Sequence, residues 1–196
     1  MEWRNIILQI SVVVTTYNGK MHLEKQLLSL LQQERAPDEV LIFDDGSTDG
    51  TIELVQSFIR KNCLESWQFY VNAKRKGWKQ NFMEGLRKAA GDILFPCDQD
   101  DIWYPKKLAE MTAVMEQHPE IKLLACDYRV LYEPGALKAT VYKKTPAETQ
   151  GLITRYGFTK HFFMNPYPGC TYAVRRDFFD AVKELWFDGS PHDEFL

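Results

Sequence analysis

Phe95-Pro96-Cys97-Asp98-Gln99-Asp100-Asp101-Ile102-Trp103 is the stretch of this sequence that decides the fold we expect. The apolar residues up to Phe95 are typical of the end of a buried strand, and residues 106–118 have the apolar spacing of a helix. The three carboxylates therefore lie on a short loop at the carboxyl end of a strand. Open α/β sheets bind their ligands at this end of the strands.

Two interpretations of these acids stay open from the residues alone. Closely spaced carboxylates repel one another unless a cation is present, and Mg²⁺ and Mn²⁺ take carboxylate oxygens together with substrate phosphates. In this interpretation Asp98 and Asp100 converge on a divalent cation. The alternative is a solvated acidic turn, whereas a helix cap explains the acids poorly because the helix begins several residues later.

The composition favours one soluble domain over residues 1–196. The hydrophobic share of 45% suits a single sizeable core at this length. The net charge of −3 gives nucleic-acid binding no electrostatic support, and no apolar run in the sequence is long enough to cross a bilayer. The four cysteines are scattered without a C-x-x-C pair, which indicates reduced thiols rather than a zinc site. We therefore expect a cytoplasmic protein.

Strands and helices alternate up to about residue 120, which favours an α/β fold with a mainly parallel, mixed sheet flanked by helices. The predicted strands are residues 6–15, 39–43, 67–72, 93–95, 123–132 and 170–174. The predicted helices are residues 20–33, 51–61, 81–90, 106–118 and 176–185. Residues 133–154 are polar without a clear period, which is typical of a functional or mobile loop.

Side chains suited to a nucleotide follow several of these strands. The ring of Tyr17 can stack on a nucleobase or cap the sheet edge, and Asp44 can accept from the imide N–H of uracil or thymine or form a turn. Asp193, beside His192, is a candidate general base. Basic residues that can face a diphosphate or form a solvated surface are Lys74, Arg75, Lys76 and Lys79.

Together these side chains indicate a nucleotide site more specifically than any one of them does. Parallel strands bring the loops that follow them to one edge of the sheet, where an aromatic ring, a base acceptor and an acidic triad would meet. This combination predicts a site for a nucleoside diphosphate and a cation. The sequence lacks the glycine-rich dinucleotide fingerprint and the Walker A loop, which argues against a dehydrogenase or a P-loop kinase.

Five segments, in order, resemble the motifs of the family 2 glycosyltransferases of the Rossmann-like GT-A fold, and especially their rhamnosyltransferase-like members. They are residues 11–18 (SVVVTTYN), 44–51 (DDGSTDGT), 98–103 (DQDDIW), 165–171 (NPYPGCT) and 192–193 (HD). The first three are the more specific ones. The resemblance implies inverting transfer of a sugar from a nucleotide-diphosphate donor.

The resemblance also implies which residues hold the donor. Thr15 and Tyr17 would hold the nucleoside, with Tyr17 packing on the base, and Asp44 would accept from the base imide. Looser candidates for contacts to the donor are Lys79 and Asn81.

At the reacting end of the donor, the resemblance implies a metal and a base. Asp98 would lie near the ribose and the metal, and Asp100 would be the main ligand of Mn²⁺ or Mg²⁺. Gly169 would leave room beside the sugar, and Asp193 falls at the position of the catalytic base. The residues after Asp193 depart from the aromatic pair that is common in the rhamnosyltransferase-like group.

The expected partners are a UDP- or dTDP-sugar, with dTDP-rhamnose as the first expectation, and a saccharide or lipid-linked acceptor in cell-surface polysaccharide assembly. Peripheral association with the inner face of the plasma membrane fits such an acceptor. Because relatives usually continue through further helices, we expect the chain to lack a C-terminal acceptor-binding extension.

Two alternatives to transfer remain from the sequence. One is a nucleotide-sugar-binding domain without transfer activity, which would bind donor and metal but show no turnover. The other is a nucleotidyltransferase, which is disfavoured because residues 15–19 lack a glycine-rich, arginine-containing phosphate loop.

Overall fold

The computed structural model describes residues 7–132, residue 153 and residues 167–187 of the chain. Its strands are β1 (Ile10–Thr16), β2 (Glu39–Asp44), β3 (Trp67–Val71), β4 (Ile93–Cys97), β5 (Leu123–Ala125) and β6 (Tyr172–Arg175). Its α-helices are α1 (Lys20–Leu31), α2 (Thr51–Lys61), α3 (Trp78–Lys88), α4 (Lys107–Gln117) and α5 (Arg176–Val182). Short 3₁₀ turns cover Gly169–Thr171 and Lys183–Leu185.

The described strands form one six-stranded sheet in the order β3-β2-β1-β4-β6-β5. Strand β1 pairs in parallel with β2 and β4, and β2 pairs in parallel with β3. Strand β6 runs antiparallel to both β4 and β5. This topology confirms the predicted α/β fold with a mainly parallel, mixed sheet. The predicted single domain over residues 1–196 stays a prediction.

Strand β1 is buried along its whole length because helices cover both faces of the sheet. Successive side chains of a strand point to opposite faces. Val12 and Val14 belong to the hydrophobic core that α1, α2 and α4 share with the sheet, whereas Val13 belongs to the core on the side of α3 and α5. The nearly continuous apolar run of β1 follows from this double burial.

The register of the parallel strands aligns their carboxyl ends. Thr16 at the end of β1 lies opposite Asp44 at the end of β2, and Val14 lies opposite Cys97 at the end of β4. The loops that follow these strands therefore leave the sheet at one edge, as predicted.

Helix α3 begins at Trp78, earlier than the predicted start at residue 81. The backbone N–H groups of Lys76 and Gly77 donate to the Asp45 carboxylate at 2.7 and 2.8 Å, which anchors the chain just before the helix. Gly77 has a φ of +88°, which favours glycine. A contact with a distant residue thus sets this helix start.

The edge strand β5 ends at Ala125, whereas the prediction extended it to residue 132. Its partner in the described sheet is β6, which is itself a short strand, so few ladder positions are available. The strand predicted over residues 170–174 is a 3₁₀ turn followed by β6, and the predicted start of β1 at residue 6 lies outside the described residues. Helix α5 likewise ends before the predicted residue 185.

Two further expectations concern the state of the cysteines and the membrane-spanning segments. All four cysteines are free thiols, and burial raises the pKa of the Cys97 thiol at the end of β4. Among the described helices, none is both long and apolar enough to span a membrane.

Gly85 allows α3 to approach β1 closely. A Cβ atom at Gly85 would lie 2.3 Å from Cγ1 of Val13, a buried β-branched side chain with little rotamer freedom. Alanine is better than glycine in a helix by about 1 kcal/mol, but overpacking costs about 1–3 kcal/mol. We therefore expect Gly85→Ala to lower the free energy of unfolding, as measured by urea titration.

The control for this prediction is the same change in a Val13→Ala background. Removing Cγ1 opens the space that the new Cβ atom needs, so Gly85→Ala should cost less there. An equal cost in both backgrounds would contradict the assigned contact.

Candidate functional site

Five segments lie at the carboxyl edge of the parallel strands. They are the Tyr17 loop (residues 17–19) after β1, the Asp45 loop (residues 45–50) after β2, the basic loop (residues 72–77) after β3, the acidic loop (residues 98–106) after β4, and the Gly169 turn (Gly169–Thr171) before β6. The Gly169 turn reaches this edge because β6 runs antiparallel to β4.

The Tyr17 loop and the Asp45 loop are joined by hydrogen bonds. The backbone N–H of Asn18 donates to the Ser47 hydroxyl at 2.8 Å, and the Asn18 side-chain oxygen accepts from the N–H of Thr48 at 2.9 Å. The N–H of Gly19 donates to the Thr51 hydroxyl at 3.0 Å. These bonds fix the backbone beside Tyr17 relative to β2 and α2.

Asp44, the predicted acceptor of the base imide, is fully buried, and its carboxylate accepts hydrogen bonds from its own loop. Its Oδ1 atom accepts from the backbone N–H groups of Gly46 and Ser47 at 3.0 and 2.7 Å. Its Oδ2 atom accepts from the Ser47 hydroxyl at 2.5 Å. This is the turn that the sequence offered as the alternative. The role of Asp44 in binding a base stays a prediction.

Asp45 joins the Asp45 loop to the basic loop. Besides the N–H groups of Lys76 and Gly77, its carboxylate accepts from the side-chain amide of Asn72 at 3.1 Å. The Nε atom of Arg75 lies 3.8 Å from the same carboxylate, but the Arg75 side chain is 66% exposed, and such pairs contribute about 0–1 kcal/mol. The partly buried backbone hydrogen bonds therefore hold the basic loop more than the ion pair does.

Arg75 also covers one face of the Tyr17 ring. Its guanidinium carbon lies 4.0 Å from the ring centroid, a stacked cation–π contact. Tyr17 is half-buried, and it thus already holds a flat, delocalised group on its ring. Whether the ring stacks on a base or caps the sheet edge stays a prediction.

Asn81 lies in the first turn of α3 and is only 1% exposed. Its side-chain oxygen accepts from Asn72 at 2.6 Å, whereas its Nδ2 atom is buried without a partner among the described residues. A buried unpaired donor costs about 1–3 kcal/mol, so an acceptor group bound there would be stabilising. Lys79, in the same turn, has its Nζ atom 5.7 Å from the Trp78 ring centroid.

Asp98, Asp101 and Cys170 bring one ligand atom each to within 4.8 Å of one another. Burial raises the pKa of the Asp101 carboxyl. The Oδ2 atom of Asp101 is buried and has no partner in the described part of the chain. Asp100, the predicted main metal ligand, is exposed and is not part of this group, so its role stays a prediction.

Cys170 and Lys107 tie the acidic loop to the Gly169 turn. Burial, together with the nearby charge of Asp101, raises the pKa of the Cys170 thiol, which therefore stays protonated. The Nζ atom of Lys107 donates to the Cys170 carbonyl at 2.5 Å and lies 3.6 Å from the Trp103 ring centroid. The two carboxylates of this group offer oxygen ligands, which suit hard divalent ions.

The remaining predicted residues are placed as follows. Thr15 is buried in β1, opposite Phe43 of β2, and Gly169 is buried at the start of the Gly169 turn. Asp193, His192 and residues 165–166 lie outside the described residues.

Three residues at this edge were not predicted from the sequence as site residues: Asn72, Gln99 and Lys107. Asn72 directly follows β3, as Tyr17 follows β1, and this position was a usable signal. The side-chain contacts of Gln99 and Lys107 depend on the packing of distant loops, which no local pattern reports.

A family model described as "Glycosyl transferase family 2" matches residues 11–180. The chain belongs to this family. The poly(ribitol-phosphate) beta-N-acetylglucosaminyltransferase TarS of Staphylococcus aureus is 30% identical over 155 residues, which are 78% of this chain and 26% of TarS. The dTDP-rhamnosyl transferase RfbG of Shigella flexneri is 25% identical over 180 residues, which are 88% of this chain and 57% of RfbG.

Solved structures show the same fold. Residues 1–349 of TarS in complex with UDP-GlcNAc match with a TM-score of 0.70 at 22% identity, over 95% of this chain and 51% of that one. The mannosyltransferase PcManGT from Pyrobaculum calidifontis, in complex with GDP-Man and Mn²⁺, matches with a TM-score of 0.63 at 21% identity, over 89% and 46% of the two chains. The predicted GT-A fold and family are confirmed. The chain spans 57% or less of the length of each of these relatives.

Asp101 makes stability depend on pH. Burial raises its folded-state pKa above the ordinary value of 3.8, so at a pH between the unfolded-state and the folded-state pKa the folded state binds more protons than the unfolded state. The contribution of this group to the free energy of unfolding therefore falls as the pH rises through that window. Because Asp101→Asn removes this loss, we expect the variant to gain stability relative to wild type between about pH 4 and about pH 7. Urea unfolding at both pH values measures the difference.

Asp100→Asn is the matched control, since the side chain of Asp100 is exposed. It should show a smaller pH-dependent gain than Asp101→Asn. A gain for Asp101→Asn that is independent of pH, or an equal gain for the control, would contradict the burial of the Asp101 carboxylate.

Proposed function

We propose that this protein is an inverting glycosyltransferase that moves a sugar from a nucleotide-diphosphate donor to a saccharide or lipid-linked acceptor in cell-surface polysaccharide assembly. The observation that carries the proposal is that two loops share one edge of the sheet. The loop after β1 carries the ring of Tyr17, and the loop after the adjacent strand β4 carries the carboxylates of Asp98 and Asp101. The family membership supports the reaction type.

The nucleoside end of the donor binds, in this proposal, at the Tyr17 loop. The base stacks on Tyr17, whose ring already accepts the guanidinium of Arg75. Thr15 and Asp44, at the ends of β1 and β2, complete the nucleoside site. Uracil and thymine share the imide N–H, so the proposed donors are UDP- and dTDP-sugars. The likeness to RfbG favours dTDP-rhamnose, and the likeness to TarS favours a UDP-sugar.

The diphosphate binds between the acidic loop and the start of α3. Asp98 and Asp100 are the proposed ligands of Mn²⁺ or Mg²⁺, and the buried, unpartnered Oδ2 atom of Asp101 fits a cation nearby. The cation, when bound, supplies positive charge that stabilises the leaving diphosphate. Lys79 and the Nδ2 atom of Asn81, which has no partner among the residues that the structure describes, are the proposed donors to the phosphate oxygens.

Asp193 is the proposed catalytic base, on the strength of its motif. Its carboxylate takes the proton of an acceptor hydroxyl as that oxygen attacks the anomeric carbon, and the bond from this carbon to the diphosphate oxygen breaks. Attack from the side opposite the leaving group inverts the anomeric configuration. Gly169 leaves room for the sugar beside the acidic loop.

Nucleotide binding tests the donor site directly. Calorimetric titration of UDP and dTDP into the protein should show binding of at least one nucleotide that is strengthened by Mn²⁺. Asp100→Ala should remove most of the Mn²⁺ effect, because it removes a proposed metal ligand. Asp180→Ala, which removes an exposed acid on α5, is the matched control and should bind like wild type. No binding of either nucleotide to the folded protein would contradict the donor site.

Turnover tests the catalytic assignment. Asp193→Asn keeps the size of the side chain but removes the base, so we expect kcat to fall by about 10²–10⁴-fold while nucleotide affinity is unchanged. Donor hydrolysis and transfer to a saccharide acceptor, followed by release of the nucleoside diphosphate, measure this change. Binding of donor and metal by the wild-type protein without any turnover would favour the alternative of a nucleotide-sugar-binding domain.

A further inference from the structure

The side chain of Gln99 leaves the acidic loop and reaches the Tyr17 loop. Its Oε1 atom accepts from the backbone N–H of Tyr17 at 2.9 Å and from the hydroxyl of Thr16, also at 2.9 Å. A backbone N–H can only donate, so the oxygen of the amide must face Tyr17. One side-chain oxygen therefore connects the end of β1 with the loop after β4.

Gly19 provides the space that this contact needs. A Cβ atom at Gly19 would lie 2.2 Å from Oε1 and 2.7 Å from Cδ of Gln99. The backbone of Gly19, with φ −99° and ψ 9°, is open to any residue, so backbone strain does not explain the glycine. The space between the two loops is occupied by the Gln99 side chain.

Gln99 also lies between the proposed metal ligands, Asp98 and Asp100, in the sequence. A movement of these carboxylates toward a cation shifts the backbone of Gln99. Its side chain transmits this shift to the N–H of Tyr17, and thus to the proposed platform for the base. Because coupling is reciprocal, a base that stacks on Tyr17 would in turn favour the cation-bound arrangement of the acidic loop.

We propose that Gln99 is a positioning residue that couples the nucleobase end of the donor site to its metal end. The proposal rests on the proposed function, because it needs a nucleotide at Tyr17 and a cation at the acidic loop. Gln99 acts through Tyr17 rather than by touching the donor. Couplings between two ligands of this kind amount to about 5- to 150-fold in affinity.

The first test needs no ligand. Gln99→Met removes the acceptor at similar side-chain length, so the Tyr17 amide should exchange its hydrogen about tenfold faster in the nucleotide-free protein, as measured by NMR. Gly19→Ala should do the same by displacing the flexible Gln99 side chain. Gln99→Glu keeps an acceptor oxygen and should restore protection. Gln56→Met, on the exposed face of α2, is the matched control and should not change it.

The second test measures the coupling. The affinity for UDP or dTDP, whichever the wild-type protein binds, is determined with and without Mn²⁺, and the ratio of the two is the metal effect. We expect this ratio to fall at least about fivefold in Gln99→Met and in Gly19→Ala, and to stay at the wild-type value in Gln56→Met. A merely structural role of Gln99 would weaken both affinities equally and leave the ratio unchanged.

The outcomes separate the inference from the proposed function. If the wild-type protein binds a nucleotide with a metal effect, and Gln99→Met keeps that effect, the coupling role is wrong while the donor site stands. Unchanged exchange of the Tyr17 amide in Gln99→Met would overturn the contact itself. If the wild-type protein binds neither nucleotide, the proposed function fails and the coupling role fails with it, whatever the exchange rates show.

Discussion

The parallel pairing of β1 with both of its neighbours is the constraint on which the rest of the structure depends. Ser11, buried near the start of β1, fixes the register: its hydroxyl donates to Glu39 of β2 at 2.5 Å and accepts from the N–H of Gly91, just before β4, at 2.7 Å. At the other end of the same ladder, Thr16 is thereby held opposite Asp44. A slip by one residue would turn every side chain of β1 to the opposite core and would leave the Ser11 hydroxyl buried without partners.

The acids at this edge of the sheet differ in how fully their carboxylates are hydrogen-bonded, because the donors around them differ. Asp44 and Asp45 are surrounded by backbone N–H groups of their own and the neighbouring loop, and these donors satisfy their carboxylates. Asp101 is also largely buried, but its Oδ2 atom has no donor among the described residues, and its pKa is raised by burial. Asp44 and Asp45 thus stabilise their loops through hydrogen bonds. Asp101, in the acidic loop, keeps a carboxylate oxygen that a cation could bind.

The sequence could predict the fold and the common edge of the loops after β1 and β4, but not how these loops are held together. Alternating strands and helices and the acidic stretch after β4 are local patterns, and they placed Tyr17 and Asp98 at one edge. The early start of α3 could not be predicted, because the Asp45 carboxylate that anchors Gly77 is distant in the sequence. The same holds for Gln99, since the Tyr17 N–H that it accepts from belongs to the loop after β1, which is distant in the sequence. Long-range polar contacts leave no periodic signal.

Hydrogen bonds hold the Tyr17 loop on both sides, which affects how much of a donor's binding energy would be spent on ordering the loop. Asn18 bonds to the Asp45 loop on the side of β2, and Gln99 bonds to Tyr17 on the side of β4. A loop that is already ordered loses little conformational entropy when a base stacks on it. The carboxylates of the acidic loop, by contrast, repel one another until a cation binds. In the proposed donor site, ordering on ligand binding would therefore be concentrated at the acidic loop, and the contact of Gln99 with the Tyr17 N–H would carry that ordering to the base.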